Sequence, residues 1–331
     1  MSYRSTIARQ PEALADAFAA ARDELAKLNL AELDKPVIGI TGIGASFAAA
    51  MVGEAELRAH GRRAFALRAS DLADGRPLTD ALIGLSHRGR SVETLAAMAK
   101  LPTAASLAIT NDPDSPVAKA ARMHLRLANG SDATPSSTGY TATLLVMGMA
   151  IDALLGRSDD IWGRLPGIAG QVLAKAGAKM GRLAKLFAAR RAIDCVGDGG
   201  AYGTADEAVL LVREASRIPA ASFDTRHYLH GPMEAMDPTT GVIVFGDGRE
   251  IELADNLDRV DCPTLLLTTT AGIADSENLT VITVPKTDNL IARGIIDILS
   301  AQVLAAELSD AAGLTDTKFR YRMSDTKVPQ S

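Results

Sequence analysis

Residues 81–94 read ALIGLSHRGRSVET, and this stretch decides the fold class. Its first five residues, Ala81–Leu85, form an apolar run with the length of a buried β-strand. A polar turn containing Gly89 follows, and Ser91 then stands where its side chain can cap a helical pattern beginning at Val92. A buried strand, a short polar turn and a capped helix in direct succession are typical of parallel α/β sheets.

The same alternation of apolar runs and helical patterns recurs along the chain. In the first half, the predicted strands are Val37–Ile40, Ala64–Leu67, Ala81–Leu85, Ala105–Ile109 and Met123–Leu127. After residue 190, apolar runs and one helical pattern resume at Ala192–Val196, Ala205–Ser216, Gly241–Phe245, Pro263–Thr268 and Val281–Val284. We therefore predict an α/β fold with two domains, each a mostly parallel sheet flanked by helices in a three-layer α/β/α sandwich.

The predicted organisation agrees with the chain length, since 331 residues at roughly 150 per domain make about two domains. The segments we predict are an N-terminal helix at 1–34, a first sheet domain at 35–156, a helical connector at 157–190, a second sheet domain at 191–311 and a C-terminal tail at 312–331. The polar tail either frays or folds over a site.

Composition excludes several classes of protein. Hydrophobic residues make up 47% and charged residues 23%, and the net charge of −5 disfavours a nucleic-acid binder. The most apolar stretch, Ala142–Ile151, is far shorter than the roughly 20 residues of a membrane span, and no signal peptide is visible. Cys195 and Cys262 lie in apolar runs, and no Cys/His spacing predicts a metal site. We expect a cytoplasmic protein with buried thiols.

Ligands of open α/β sheets bind beyond the carboxyl ends of the strands, where three loops here are rich in glycine or hydroxyl groups. These loops are Thr41–Ser46, Leu85–Thr94 and Ser131–Tyr140. Hydroxyls, backbone N–H groups and a helix N-terminus can hold a phosphate, although an ordinary capped turn has the same pattern. The first loop lacks the third glycine and the following acid of a dinucleotide site, so we expect no nucleotide cofactor.

Together, the loops and further motifs resemble the SIS (sugar isomerase) domain family, in particular the isomerase half of glucosamine-fructose-6-phosphate aminotransferase. In the first half, the matching segments are GAS at 44–46, LSHRGRSVET at 85–94, AITNDPDSP at 108–116 and SST at 136–138. In the second half, they are VGDGGAY at 196–202, Glu207, REAS at 213–216 and HGP at 230–232. The resemblance covers about residues 8–311 and implies two tandem SIS domains.

The resemblance also implies roles for individual residues. A hexose phosphate would be held in the first SIS domain through its phosphate by Ser46, Ser86, His87 and Ser91. Independently of the resemblance, Arg88 and Arg90 of the same loop could add charge-assisted hydrogen bonds. Ser137 and the Pro135 backbone would contact sugar hydroxyls. Glu214 would move a proton between C1 and C2, and His230 of a neighbouring subunit would open the ring, so the family implies a homodimer. Neither a metal nor another cofactor is expected.

The chemistry needs these residue types. One carboxylate can take a proton from a carbon and return it to the next, and an imidazole exchanges protons near neutral pH. Two simpler interpretations stay open: Glu214 as a surface ion-pair residue, and His230 as a structural turn residue.

Three positions depart from the family pattern. Arg88 replaces the second serine of the phosphate turn, and Leu211 stands where the aminotransferase isomerase domain has a lysine. In the tail, Asp325 aligns with a second lysine of the family, and Lys327 follows two residues later as a candidate for the site.

The leading hypothesis is a phosphosugar isomerase, acting either on an aldose–ketose pair or on an amino-sugar phosphate as isomerase or deaminase. The alternatives are a non-catalytic or regulatory sugar-phosphate-binding protein, and a deglycase for fructosamine phosphates. Since the resemblance leaves no room for a glutaminase domain, we do not expect glutamine-dependent synthesis.

Overall fold

The computed structural model describes residues 1–72, 78–100, 105–314, 319–321 and 323–329. Within them lie two parallel five-stranded sheets. The first has the order β2-β1-β3-β4-β5, with strands β1 Ile38–Gly42, β2 Ala64–Arg68, β3 Ala81–Leu85, β4 Ser106–Thr110 and β5 Met123–Arg126. The second has the order β10-β9-β8-β6-β7, with strands β6 Ile193–Gly197, β7 Ala220–Asp224, β8 Gly241–Phe245, β9 Thr264–Thr268 and β10 Leu279–Thr283. The predicted fold class is confirmed.

Helices connect and cover the strands. In chain order they are α1 Tyr3–Ala8, α2 Gln10–Leu25, α3 Ala45–Ala59, α4 Val92–Ala99, α5 Pro116–Lys119, α6 Thr138–Leu154, α7 Ile161–Phe187, α8 Gly200–Ser216, α9 Thr225–Tyr228, α10 Arg249–Asp258 and α11 Leu290–Ala311. None of the helices in the described ranges is both long and apolar enough to cross a membrane.

The chain divides into two compact units, and each contains one sheet. The first unit comprises Arg9–Asp132, Thr138–Pro166 and Arg320–Ser331, and the second comprises Met1–Ala8, Ala133–Ser137 and Gly167–Phe319. The N-terminal segment predicted as one helix therefore contributes to both units, since α1 packs on α11 and α2 packs on α6. The predicted domain limits remain a prediction.

Helices cover both faces of the first sheet because successive strand residues point to opposite sides. Leu82 packs in a cluster with Met98 of α4. Ile40 is paired with Ile83, the neighbour of Leu82 along β3, and therefore faces the other side. On that side Ile40 packs closely against α3, because a Cβ atom on Gly53 of α3 would lie 2.8 Å from the Ile40 Cδ1 atom.

One strand of the second sheet escaped the prediction. Residues 220–224 read AASFD, with Phe223 as the one large apolar side chain, and they form edge strand β7 beside β6. An edge strand is half-exposed, so its sequence lacks the continuous apolar run of a central parallel strand. The central strands β6, β8 and β9, which are buried at every position, were predicted within one or two residues.

Candidate active site

The loop after β3, Ser86–Ser91, is a tight turn at the carboxyl edge of the first sheet. The Gly89 N–H donates to the Ser86 carbonyl over 2.8 Å, and Gly89 adopts a left-handed φ of +62°. A Cβ on Gly89 would overlap the Ser115 hydroxyl oxygen, so the position accepts only glycine without displacement. The turn brings Ser86 and Ser91, which are both buried, to the start of α4.

Ser91 caps α4, as predicted. Its Oγ accepts the Thr94 N–H over 3.3 Å and donates to Glu93 over 2.9 Å. The Ser86 hydroxyl, by contrast, makes no hydrogen bond with any other described residue. Ser91 is therefore partly engaged by its own helix, whereas Ser86 retains its full capacity for a ligand.

Ser46 lies on the first turn of α3, directly after the loop that ends β1. Gly42 allows this close approach, because a Cβ there would stand 2.6 Å from the Ser46 Cβ. Gly44, with a φ of +60°, turns the chain into the helix. Since β1 and β3 are neighbours in the parallel sheet, Ser46 and Ser86 follow the carboxyl ends of adjacent strands. The positive end of the α3 dipole lies at this edge and favours negative charge there.

His87 belongs to a buried hydrogen-bond network. Its Nε2 lies 3.2 Å from the Asn129 Oδ1, and the Asn129 amide donates to the Thr138 hydroxyl over 3.1 Å. Burial lowers the pKa of His87, with the Asp132 carboxylate opposing this effect. We assign the neutral tautomer with hydrogen on Nε2, because Asn129 offers an acceptor there. In that tautomer the imidazole has no N–H left for a phosphate.

The two arginines of the loop have different surroundings. Arg88 is exposed and pairs with no carboxylate among the described residues. Arg90 instead donates from Nε to the Val328 carbonyl over 3.0 Å and from its terminal nitrogen to the Pro329 carbonyl. Arg88 is therefore available to an anion, whereas Arg90 holds the C-terminal segment.

The C-terminal segment lies along the Ser86–Ser91 loop within the first unit. Ser91 and Lys327 form an antiparallel bridge, and the Val328 N–H donates to the Arg90 carbonyl over 2.9 Å. Lys327 and Asp325 are both exposed. The tail residues Thr315–Lys318 and Arg322 lie outside the described residues.

Ser137 and Pro135, the predicted sugar contacts, lie in the second unit and are buried. The Ser137 hydroxyl donates to the Thr6 hydroxyl over 2.7 Å, and its carbonyl accepts from Gln302 over 3.2 Å. The Ser137 side chain is thus engaged with α1, which sequence reasoning did not anticipate.

Glu214 is a half-buried carboxylate on α8. It makes no hydrogen bond or ion pair with any described residue, and its neighbour Arg213 donates instead to the Ala220 carbonyl over 3.0 Å. Burial raises the pKa of Glu214 to about 7. A carboxylate that is poorly solvated, unpaired and near neutral pKa has the properties of a general base rather than of a surface ion-pair residue.

His230 follows α9, whose N-terminus is capped by the Asp224 carboxylate. The backbone N–H of His230 donates to the His227 carbonyl over 3.0 Å. Gly231, with a φ of +141°, then leads the chain into a 3₁₀ turn at Pro232–Ala235. The imidazole is exposed and makes no hydrogen bond with other described residues. It is therefore free to exchange protons with a ligand.

Residues 33–157 match the family model described as SIS domain. The match takes in all five strands of the first sheet. Glutamine–fructose-6-phosphate aminotransferase [isomerizing] from Yersinia pseudotuberculosis is 27% identical over 234 residues, which cover 64% of this chain and 38% of that protein. The chain therefore spans about two fifths of the length of the curated relatives it matches.

Solved structures share the fold over nearly the whole chain. The C-terminal domain of glucosamine-fructose-6-phosphate aminotransferase from Francisella tularensis has a TM-score of 0.78 at 19% identity, covering 96% of this chain and 97% of that one. Glucosamine-6-phosphate deaminase from Thermotoga maritima has a TM-score of 0.79 at 18% identity, with coverages of 97% and 98%. Tagatose-6-phosphate ketose/aldose isomerase from Escherichia coli has a TM-score of 0.76 at 20% identity, with coverages of 95% and 93%.

The second sheet presents carboxylates at the edge where the first presents serines. A cavity of about 190 Å³ lies at the ends of β6 and β8, and its lining includes Asp198, Asp247, Glu250, Arg293 and Asp297. The Glu250 carboxylate accepts the Gly248 N–H over 3.1 Å, and Asp247 accepts from Arg293 over 2.6 Å. Carboxylates thus fill the hydrogen-bonding positions of this turn and disfavour a phosphate.

Sequence reasoning missed two groups of polar residues. Near His87, Asn129 follows the fifth apolar run without any motif, and Asp132 lies in the loop Ser131–Tyr140 but was given no role of its own. Asp194 does have a sequence signal, since a carboxylate interrupts the apolar run Ala192–Val196, and the structure pairs it with Tyr228. Within the described ranges, no three His, Cys, Asp or Glu side chains are grouped to hold a metal ion.

Proposed function

We propose that this SIS-domain protein is a phosphosugar isomerase, acting on an aldose–ketose pair or on an amino-sugar phosphate as isomerase or deaminase. The observation that carries the proposal is Glu214, whose unpaired and half-buried carboxylate has a pKa raised to about 7 by burial. Isomerisation moves a proton between adjacent carbons, and a base that is half ionised near neutral pH can both take that proton and return it.

In this proposal, the phosphate binds at the carboxyl edge of the first sheet. The hydroxyls of Ser46, Ser86 and Ser91 donate hydrogen bonds, and Arg88 adds a charge-assisted one. We propose that His87 shapes the loop and turns its backbone rather than its imidazole toward the ligand, which its contact with Asn129 supports. The carboxylate-filled turn of the second sheet supports a single phosphate site in each chain.

The proton chemistry is assigned to two residues of the second unit. Glu214 transfers the proton between C1 and C2, and the exposed His230 imidazole gives and accepts the proton that opens the sugar ring. By the family resemblance, His230 acts in a neighbouring subunit, so we propose a homodimer. Light scattering at assay concentration tests this part, and a monomer would contradict it.

The direct test is Glu214→Gln, which keeps the shape of the side chain and removes the base. Turnover of glucose, fructose and glucosamine 6-phosphates is followed as interconversion and as ammonia release. We expect a loss of roughly 10²–10⁴-fold, the contribution typical of an acid–base group. Glu252→Gln, an exposed carboxylate on α10 paired with Arg249, is the matched control and retains turnover. Full turnover in Glu214→Gln would refute the assignment.

A second candidate function is a non-catalytic or regulatory protein that binds sugar phosphates. It is favoured by Leu211 and Asp325, which stand where the family resemblance places lysines. Thermal-shift screening separates the candidates, because a bound ligand raises the melting temperature by mass action. Binding without turnover across the panel would favour the regulatory protein, and amino-acid release from a fructosamine phosphate would favour a deglycase.

A further inference from the structure

A buried polar pair ties the core of the second sheet to the segment that carries His230. Asp194 is the second residue of β6 and is 8% exposed, with Ile193 and Cys195 fully buried on either side. The Tyr228 hydroxyl donates to its Oδ2 over 3.1 Å. Burying a carboxylate in a strand is destabilising unless a hydrogen-bond partner compensates for the lost hydration. The presence of this buried pair therefore suggests that it has a function.

Tyr228 is the last residue of α9 and is fully buried. It packs in the hydrophobic cluster with Val196 and Val242, and its ring centroid lies 5.1 Å from that of Phe223. Because its hydroxyl reaches Asp194, the end of α9 is held to β6 by a directional bond as well as by packing. Burial raises the pKa of Asp194, and the hydrogen bond from Tyr228 opposes that rise.

His230 follows Tyr228 by two residues, and its imidazole makes no hydrogen bond of its own with the described residues. Its backbone therefore sets its direction. The Leu229 N–H donates to the Thr225 carbonyl over 3.2 Å, and the His230 N–H donates to the His227 carbonyl over 3.0 Å. Both bonds belong to the turn that Tyr228 anchors, and Gly231, with a φ of +141°, then leads into the 3₁₀ turn at Pro232–Ala235.

We infer that Asp194 and Tyr228 are positioning residues for His230, because their hydrogen bond fixes the turn from which the imidazole projects. This inference rests on the proposed function of His230 in ring opening. Neither residue is assigned a contact with substrate. Loss of the bond lets the turn shift, and a shift of about 1 Å at a catalytic group is enough to slow its step about 100-fold.

The test compares a substrate that closes its ring with one that does not. Fructose 6-phosphate cyclises through its C5 hydroxyl, whereas 5-deoxyfructose 6-phosphate lacks that hydroxyl and stays open. We expect Tyr228→Phe to lower kcat for fructose 6-phosphate at least tenfold with KM within about twofold, and to leave kcat for the open analogue within about twofold. Asp194→Asn keeps an oxygen acceptor for Tyr228 and should remain within about threefold of the wild type on both. An equal loss on both substrates would overturn the inference.

A second measurement keeps the inference independent of activity. Amide hydrogen exchange of the 225–230 segment should accelerate at least tenfold in Tyr228→Phe, while exchange in β8 and β9 stays unchanged. If the wild-type protein turns over neither substrate, the proposed function fails, and the exchange result alone decides the positioning claim. Unchanged exchange in 225–230 would overturn that claim whatever the activity.

Discussion

Gly89 faces Ser115 at such close range that a Cβ atom on Gly89 would overlap the Ser115 hydroxyl oxygen. The same hydroxyl accepts the Ala118 N–H and so caps α5, and it donates to the Asp112 carbonyl over 2.7 Å. The Ser86–Ser91 loop after β3 and the loop after β4 thus pack together at Gly89, which has no side chain. This contact fixes where the Ser86 and Ser91 hydroxyls lie at the edge of the first sheet.

Gly89→Ala should therefore weaken both the fold and anion binding. A left-handed φ costs a non-glycine residue about 1–2 kcal/mol, and overpacking adds about 1–3 kcal/mol. We expect the free energy of unfolding in urea to fall by roughly 2–5 kcal/mol. Phosphate affinity should fall with it, because the turn must move. The double variant Gly89→Ala/Ser115→Gly is the control: it restores space and should lose less than the sum of the two single variants. Strict additivity would show that the contact is not the cause.

Arg88 and Arg90 should respond differently to the same substitution. Removing a charge-assisted hydrogen bond costs about 1.5–3 kcal/mol, so Arg88→Gln should weaken inorganic phosphate binding roughly tenfold or more by calorimetry. Arg90→Gln should instead release the C-terminal segment, because the guanidinium holds the Val328 and Pro329 carbonyls. Faster hydrogen exchange in 323–329 checks this. If Arg88→Gln binds phosphate as tightly as the wild type, Arg88 does not contact the anion.

Glu214 should lower the free energy of unfolding as the pH rises. The raised pKa of about 7, against an ordinary value of 4.5, means that the folded state binds the proton more tightly than the unfolded state. Its contribution to stability is therefore present below about pH 4.5 and is lost as pH rises to about 7, by at most about 3 kcal/mol. Glu214→Gln removes this dependence. The variant should be more stable than the wild type at pH 8, and the difference should shrink toward pH 5.

Urea unfolding at pH 5 and pH 8 measures this effect, with Glu252→Gln as the exposed control. Turnover, if Glu214 is the base, should rise through the same pH range because the ionised form is the active one. A wild type and Glu214→Gln pair with equal stability at both pH values would mean that the carboxylate is better solvated than its burial indicates.

Inorganic phosphate should bind once per chain. The first sheet ends in serine hydroxyls and a helix N-terminus, whereas the matching turn of the second sheet is occupied by Asp247 and Glu250. Calorimetric titration should give one site, and Ser86→Ala should weaken it. Asp247→Asn in the second sheet should leave the affinity unchanged. Two phosphates per chain would contradict the assignment of the second turn as closed to anions.

The central strands were readable from the sequence because each is decided by local pattern. The strand Ala81–Leu85 was predicted with the limits that the structure has, and the helix after it with its start at Val92, since an apolar run defines the strand and a serine cap defines the helix N-terminus. Edge strand β7 was not predicted, because half-exposed strands lack that signal.

The candidate site was likewise predicted only in part. The hydroxyls of Ser46, Ser86 and Ser91, and the carboxylate of Glu214, were singled out from their place after strands or within a motif. The pKa values and hydrogen-bond partners of the site residues were not predicted, because they depend on residues distant in sequence. Burial lowers the pKa of His87, whose imidazole contacts Asn129, and Arg90 donates a hydrogen bond to the C-terminal segment.

The sequence by itself determined that this protein is an α/β chain with two sheets and a serine-containing turn after β3, because strand, turn and helix signals act over a few neighbouring residues. Only the tertiary structure decided that Glu214 lies unpaired with a pKa near neutrality, that Ser137 is engaged with Thr6, and that Tyr228 anchors the turn before His230. Burial and hydrogen-bond partners are properties of packed elements, and those elements meet only after the chain has folded.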